Sequence, residues 1–548
     1  RQPQRPAHLR LRLLVQLTDE PAPSGAEQPA SPVELVVDGE PVLVPDHGGS
    51  LLHALRDHLG RHGPKDGCSP QGQCGCCTVL VDGAPRVACV TPLRRVAGRT
   101  ITTIDGLDPA VQHDWAQALC ATGGSQCGFC TPGIVVRLAA LRDRPATDVA
   151  DHGAVHRALQ AHLCRCTGWQ TVVEAWDHLG QPVPDRDLEA ASARATLESG
   201  SPQRVSPDVA LGRGGFADDT APPDALVAVP DGAGGWAVGE TVEEARLLAG
   251  KVQGRRTTVG SEPPLALPDG PWVATLRTSW VEPAYLETDA TWCAPGGEPA
   301  PVLANGGAFG GKAHSALPGV ARELADRHGR PVRVLWSRED AVRSGPKRPP
   351  VAGGVRADGT GVLRVARTPG LDQVAATLAP GFEVEQIDVA GPPTSLDLRA
   401  AVRAEAAMLA AAARGIAGRV ISPDGAWAEA EVTDGRIVVT AGAGEPLDEV
   451  VLRSYVIGAA HMAFGLVTSE SLSVDADGDV HDLTIRSFGV VRAADFPPVD
   501  VRVDPGDGRP VRVSDAAFVA VAAAVWLAQG CPPDLPSGNL HLTAPDRT

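Results

Sequence analysis

Twelve cysteines punctuate the 548-residue sequence, and ten of them fall between Cys68 and Cys166; only Cys293 and Cys531 lie elsewhere. Thiols so concentrated in a long chain point to metal or iron–sulfur ligation, because disulfide frameworks staple small domains in oxidising compartments. The first set, Cys68, Cys74, Cys77 and Cys89, is spaced C-x5-C-x2-C-x11-C, one residue longer in its first gap than the run that binds plant-type [2Fe–2S] centres. Gly67, Gly72 and Gly75 suit a loop that turns tightly and aims backbone N–H groups at sulfides. Cys76 is a fifth cysteine. Its neighbours already satisfy the pattern, so it reads as a non-ligand, with ligand exchange with Cys77 as the alternative. The second set pairs Cys127-x2-Cys130 with Cys164-x-Cys166. Pro132 predicts a helix start just beyond Cys130, whose free N–H groups and dipole favour an anionic reduced cluster. Zinc is the rival ligand for either set. Two such sets in one chain favour iron and sulfur. Cys120 reads as a small core residue.

The elements that must position these thiols follow from the flanking pattern. Val33 to Val37, Asp38-Gly39 and Glu40 to Val44 read as a hairpin about a tight turn. Ser50 caps a helix over Leu51 to Leu59, and a second hairpin runs from Thr78 through Asp82-Gly83 to Val90. Strands enclosing one helix predict a β-grasp, ferredoxin-like domain over 33–105. From 106 to 181 the pattern turns helical, with amphipathic stretches at Val111 to Ala121, Ile134 to Arg142, Ala154 to His162 and Val172 to His178; these predict a four-helix [2Fe–2S] domain. Residues 1–32 read as a tail, and 182–225, rich in Pro, Asp, Ser and Gly, as a linker. The remaining 226–548 is mixed α/β. The fold class expected is therefore α+β and multidomain.

With 43% hydrophobic residues and a net charge of −17, global disorder is excluded and phosphate backbones or anionic lipid are poor partners. Neither nucleic acid nor membrane is expected. The apolar run Ala516 to Ala528 is shorter than the roughly 20 residues a spanning helix needs and reads as a buried helix. Arg1 to Leu17 lacks a cleavage pattern, so no export signal is expected. Clustered free thiols then suggest the cytoplasm.

The segments Gly67-Cys68 through Cys77, Gly124-Ser-Gln126-Cys127-Gly-Phe-Cys130-Thr-Pro-Gly133 and Cys164-Arg-Cys166-Thr-Gly168 resemble the xanthine dehydrogenase/aldehyde oxidoreductase family of molybdenum hydroxylases. The resemblance implies two [2Fe–2S] clusters, with Gln126 and the backbone near Cys166 against the pterin of a molybdopterin-type molybdenum cofactor. Asn305 to Lys312 is similar to the family's glycine-rich loop near the metal, which assigns Gly306, Gly307, Phe309, Gly310 and Gly311 to cofactor binding. Arg330 to Glu339, Gly345 to Arg348, Glu282-Pro283, Gly239 to Val242 and Ser454 to Glu470 also look like family segments.

The sequence departs from the family in its C-terminal region, which is shortened and lacks the central GQG-type loop. Arg399 corresponds either to a substrate-facing arginine or to a helix-surface residue. The family's glutamate base is replaced by Asp515, one methylene shorter, or is mimicked by Glu445; both also read as a helix cap and a loop carboxylate. The function expected is an oxidoreductase, acting on an aldehyde or N-heterocycle, that passes electrons through two clusters. Its alternative is an electron-transfer or scaffold subunit docking a separate molybdenum chain. With no flavin segment evident, a flavoprotein subunit or soluble acceptor is the expected electron partner.

Overall fold

The computed structural model describes residues 32–46, 48–144, 150–183, 185–250, 257–302 and 309–542. The expected tail therefore lies, apart from residue 32, outside the described residues. The first sheet has the order β2-β1-β5-β3-β4, built from Val33–Val37 (β1), Glu40–Val44 (β2), Thr78–Val81 (β3), Ala84–Val87 (β4) and Thr100–Thr102 (β5). β1 runs antiparallel to β2 and parallel to β5. Both expected turns form, with Asp38 and Asp82 at φ 52° and 48° ahead of left-handed glycines. The second hairpin ends earlier than expected. Its last residues, Ala88–Val90, curl into a 3-10 turn, which carries Cys89 off the sheet edge toward the cysteine loop.

Ser50 accepts a hydrogen bond from the His53 amide and opens the expected helix, Leu51–His53, which widens to a π-helical turn over Ala54–His58. The four expected helices form as Pro109–Thr122, Thr131–Arg142, His152–Leu159 and Gln170–Asp177. Asp108 caps the first, and Pro132 sits in the first turn of the second, directly after Cys130; the missing proline N–H costs nothing there because no intrahelical partner exists.

Residues 182–225 correct the linker expectation. They hold helices Leu188–Ser199, Pro207–Ala210 and Ala217–Thr220. Asp187 caps the longest of these, left-handed Gly200 ends it, and Ala191, Arg194, Ala195 and Glu198 are buried. Proline and glycine there mark helix boundaries rather than unstructured chain.

The C-terminal region is mixed α/β with three further sheets. One places Trp236–Gly239, Leu226–Pro230, Val332–Leu335 and Ala290–Cys293 side by side; another orders Phe382–Ile387, Gly361–Ala366, Val351–Val355, Ala274–Thr278 and Asp534–Leu535; a third joins Val420–Ile421, Trp427–Thr433, Arg436–Gly442 and Val499–Asp504. Helix Ser514–Ala528 is apolar on every side and buried, as expected of its sequence. It packs against helices Glu449–Thr468 and Arg403–Arg414. The Glu449–Thr468 helix is long and apolar enough to cross a membrane, but 89% of its apolar window is buried within the protein. One apolar core runs from Val33 to Leu542, so the cysteine-rich modules and most of the C-terminal region share a single interior. The Leu226 to Val334 sheet has a small core of its own.

Candidate functional site

The loop between the Ala54–His58 turn and β3 is glycine-rich because it must fold back on itself around Cys68. Gly72 and Gly75 take φ of 68° and 74°, a conformation costly for residues with a Cβ. The fold brings all four cysteines of the first set together. Cys68 shares sulfur hydrogen bonds with Cys74 and Cys89, and Cys89 with Cys77. The amides of Gln71 and Gln73 donate to Cys68 Sγ at 3.2 and 3.5 Å, and that of Cys89 to Cys77 Sγ at 3.4 Å. Donation from Cys74 and then Cys89 holds the Cys68 thiol well below its ordinary range, against burial.

The second set closes in the same way between two helix ends. Cys166 Sγ lies 3.4 Å from Cys127 Sγ, and Cys164 shares a hydrogen bond with Cys130. That bond, with help from Thr167, pulls Cys164 down to about 6, while Cys130 and Cys166 are pushed well up, each first by its bonded thiol partner. Sulfurs meeting in two pairs suit a two-iron centre, with two thiolates on each iron, better than one tetrahedral ion. All eight are buried free thiols, so both donor sets fit such a cluster chemically.

The two sets are in contact. Leu163, peptide-bonded to Cys164, donates its N–H to the carbonyl of Cys74 at 2.9 Å. At Gly133, the third residue of helix Thr131–Arg142, a Cβ would come within 2.2 Å of Gly75 O. Only glycine permits that approach of helix to loop. The ring of His162 fills the space over Gly75 and bonds Thr78 Oγ1 through Nε2 at 3.1 Å; burial pushes it down to about 4, so it is neutral at pH 7.

C-terminal residues clamp both sets. Gln71 donates to Glu339 Oε1 and Leu483 O at 3.0 and 2.8 Å and accepts from the Ile485 amide, while Gln73 accepts from the Arg486 amide. Arg165, between Cys164 and Cys166, pairs with Glu470, with Nη2 2.7 Å from Oε2, and donates to Pro283 O at 2.9 Å. Arg165 and Glu470 are 2% and 1% exposed. Sequence reasoning missed both clamps, although a glutamine on either side of Gly72 and a cation between two ligand cysteines were visible signals.

Phe309, Arg399 and Asp515 also come together. The Arg399 guanidinium lies 4.2 Å from the Phe309 ring centroid, its Nε is 3.5 Å from Asp515 Oδ1, and Asp515 Oδ2 accepts from Arg512 at 2.6 Å. Arg399 is buried in a turn, which corrects the helix-surface reading, and burial lowers it to about 10. Phe309, Ala400 and Val402 hold φ of 50°, 50° and 68°. Such conformations cost about 1–3 kcal/mol each and gather at functional sites. Glu445 lies apart, in the loop after Arg436–Gly442, where its carbonyl accepts from Arg194.

A pterin seat needs these groups to face open space. Instead Gln126 Nε2 donates to Ser454 Oγ at 2.9 Å. A Cβ on Gly310 would lie 1.9 Å from Asp397 O, so that glycine serves a contact within the chain, and Gly311 is buried. The cavity beside Phe309, Arg399, Met462 and Phe518 measures about 20 Å³, room for one water. Gly306 and Gly307 lie outside the described residues. The described residues thus gather two buried sets of thiols but do not, by themselves, leave a seat for a molybdenum cofactor.

The family described as [2Fe-2S] binding domain matches residues 103–177. The aldehyde oxidoreductase of Megalodesulfovibrio gigas is 43% identical over 166 residues, 28% of this chain and 18% of that protein. The chain thus matches less than a fifth of that relative's length. One nicotinate dehydrogenase subunit of Pseudomonas putida is 42% identical over 138 residues, 24% of this chain and 85% of that polypeptide. The crystal structure of the aldehyde oxidoreductase from Desulfovibrio desulfuricans shares the fold with a TM-score of 0.67 and 14% identity, covering 92% of this chain and 99% of that one. Two cysteine sets at these spacings, and a relative of which nearly the whole length is matched, together establish that the chain belongs to the xanthine dehydrogenase/aldehyde oxidoreductase family of molybdenum hydroxylases.

Proposed function

We propose that this chain carries electrons through two [2Fe–2S] clusters within a molybdenum hydroxylase-type oxidoreductase. The first sheet and its helix form a β-grasp, ferredoxin-like domain whose Cys68, Cys74, Cys77 and Cys89 hold one cluster. The helices between 106 and 181 hold the other on Cys127, Cys130, Cys164 and Cys166. Bound there, the clusters supply one-electron carriers at potentials tuned by hydrogen bonds and burial. The observation that carries this reading is the 2.9 Å hydrogen bond from Leu163 N–H to Cys74 C=O, which joins the two ligand sets through a few covalent bonds and one hydrogen bond. Gly133 keeps the backbones at that separation, and the Gln71 and Arg165 clamps keep water from both sets.

The tied-up Gln126 and the one-water cavity favour the second of the two expected forms. In it, the shortened C-terminal region is a scaffold, and a separate molybdenum subunit oxidises an aldehyde or N-heterocycle. Asp515, ion-paired on both sides, then acts structurally. A flavoprotein subunit or soluble acceptor takes the electrons, in the cytoplasm.

The test is the iron, molybdenum and pterin content of the full chain, purified from its host with and without co-purifying proteins. Iron for two clusters in the isolated chain, with molybdenum and pterin only in the complex, is the expected result. Stoichiometric molybdenum on the isolated chain would refute the scaffold reading, and a colourless, iron-free chain would refute the electron-carrier reading itself.

A further inference from the structure

Cys76 is fully buried and stands outside the eight cysteines that the spacing assigns to the two sets. Its sulfur accepts a hydrogen bond from the protonated Cys74 thiol, and it lies within electrostatic reach of Cys68 and Cys77 on one side and Cys164 on the other. A Cβ at Gly67 would sit 3.1 Å from Cys74 Sγ, Cys76 Sγ and Phe129 Cε1 alike. The two sulfurs and the ring therefore surround a space that only glycine leaves free. On the other side, Gly133 rests against the Cys76 backbone, with a would-be Cβ 3.1 Å from its Cα. The Cys76 carbonyl is engaged by the Lys65 amide at 3.1 Å. Its own thiol hydrogen is aimed at the Cys74 carbonyl at a long 3.9 Å; a Cys74 that has given up its hydrogen to ligate can no longer donate to Cys76 and offers its sulfur as the second acceptor.

We propose that the Cys76 thiol donates its hydrogen to Cys74 Sγ and thereby holds the reduction potential of the first cluster up, a positioning role that rests on the two-cluster reading above. A thiolate ligand is a far better acceptor than a neutral sulfur or a distant carbonyl. One-electron reduction adds negative charge to the ligand sulfurs, so a donor on Cys74 Sγ bonds the reduced state more strongly than the oxidised one. Cys76 keeps its proton throughout; the electron alone arrives and leaves. Placed on the wall between the sets, the donor acts on the first cluster and makes transfer from the second to the first more favourable.

The experiment is a potentiometric titration of the cluster-loaded full chain, followed by EPR, for the wild type, Cys76→Ala and Cys76→Ser. Cys76→Ala is expected to keep its iron and to lower the first midpoint by about a tenfold change in the reduced-to-oxidised ratio, about 59 mV for one electron, while the second midpoint stays. Cys76→Ser, which retains a donor, is expected to restore the wild-type midpoint. In deuterated buffer, the wild type and Cys76→Ser should show an exchangeable-proton coupling to the first cluster that Cys76→Ala lacks. An unchanged first midpoint in Cys76→Ala overturns the proposal. So does loss of the first cluster's iron in that variant, which would make Cys76 a ligand. Absence of clusters from the wild type would sink the two-cluster reading before either variant is compared.

Discussion

Replacing either partner of the buried Arg165–Glu470 pair should have unequal and differently pH-dependent costs. Glu470→Leu leaves a guanidinium that cannot shed its proton, and breaking a buried pair in this way costs about 3–5 kcal/mol. Arg165→Met leaves a carboxyl that can escape by protonation. Burial already raises the Glu470 carboxyl above its ordinary 4.5, with Arg165 pulling the other way. At 1.36 kcal/mol per unit, neutralising it costs about 3 kcal/mol at pH 7 and under about 1 kcal/mol at pH 5. An acid whose folded value is raised loses stability as pH climbs above its unfolded value, so Arg165→Met should be mild at pH 5 and damaging at pH 7. Glu470→Leu should be damaging at both, and the double variant should recover most of the loss. Urea denaturation followed by tryptophan fluorescence at the two pH values reads all three. Equal destabilisation of Arg165→Met at pH 5 and pH 7, or a Glu470→Leu cost below about 1 kcal/mol, would refute the reasoning.

Three further outcomes are expected. Glu198, fully buried and paired with Arg194, accepts from the Val513 and Ser514 amides at 3.2 and 3.1 Å at the start of helix Ser514–Ala528; Glu198→Ala should cost about 3–5 kcal/mol in thermal or urea unfolding and leave the 3-10 turn at Cys89 intact. His461, buried and bonded through Nε2 to Val491 O at 2.9 Å, is pushed down to about 3 by burial and by Arg165. Its folded value is depressed, so stability should fall as pH drops from 6.5 toward 3, by on the order of 4 kcal/mol in total, and His461→Phe should flatten that slope. Burial pushes Glu287 up to about 7 despite Lys312 at 3.0 Å. Stability should therefore decline as pH rises from 4.5 to 7, by on the order of 3 kcal/mol, and Glu287→Gln should abolish that decline in denaturation curves.

The cluster modules were legible because their chemistry is local. Glycines, a proline and eight cysteines at fixed offsets dictate turns, a helix start and a donor set, and the observed helices fall within a few residues of the apolar periodicity. The rest depended on distant partners. Nothing near Gln71 in sequence announces Leu483 or Ile485, and nothing near Arg165 announces Glu470, more than 300 residues on. Arg399 stays open in sequence between a substrate-facing and a helix-surface reading because its burial is imposed by Phe309 and helix Ser514–Ala528. The 182–225 stretch misled for a related reason: alanine, leucine, glutamate and arginine favour a helix over Leu188–Ser199, but the prolines and glycines around it dominate the composition, and the C-terminal half decides that it is buried.

That stretch makes the chain hard to divide. Arg194, on its longest helix, donates to the carbonyls of Glu445, Pro446 and Val511, and Glu198 receives amides from the far end of the molecule. The segment between the cysteine-rich modules and the C-terminal half is thus a keystone gripped by both. Related cluster subunits exist as free-standing polypeptides, whereas here a protease or a stop codon placed between the halves would release two pieces with raw faces. The two halves are thus held by geometry as well as by peptide bonds, and dividing them would require rebuilding the surface that residues 188–199 now cover.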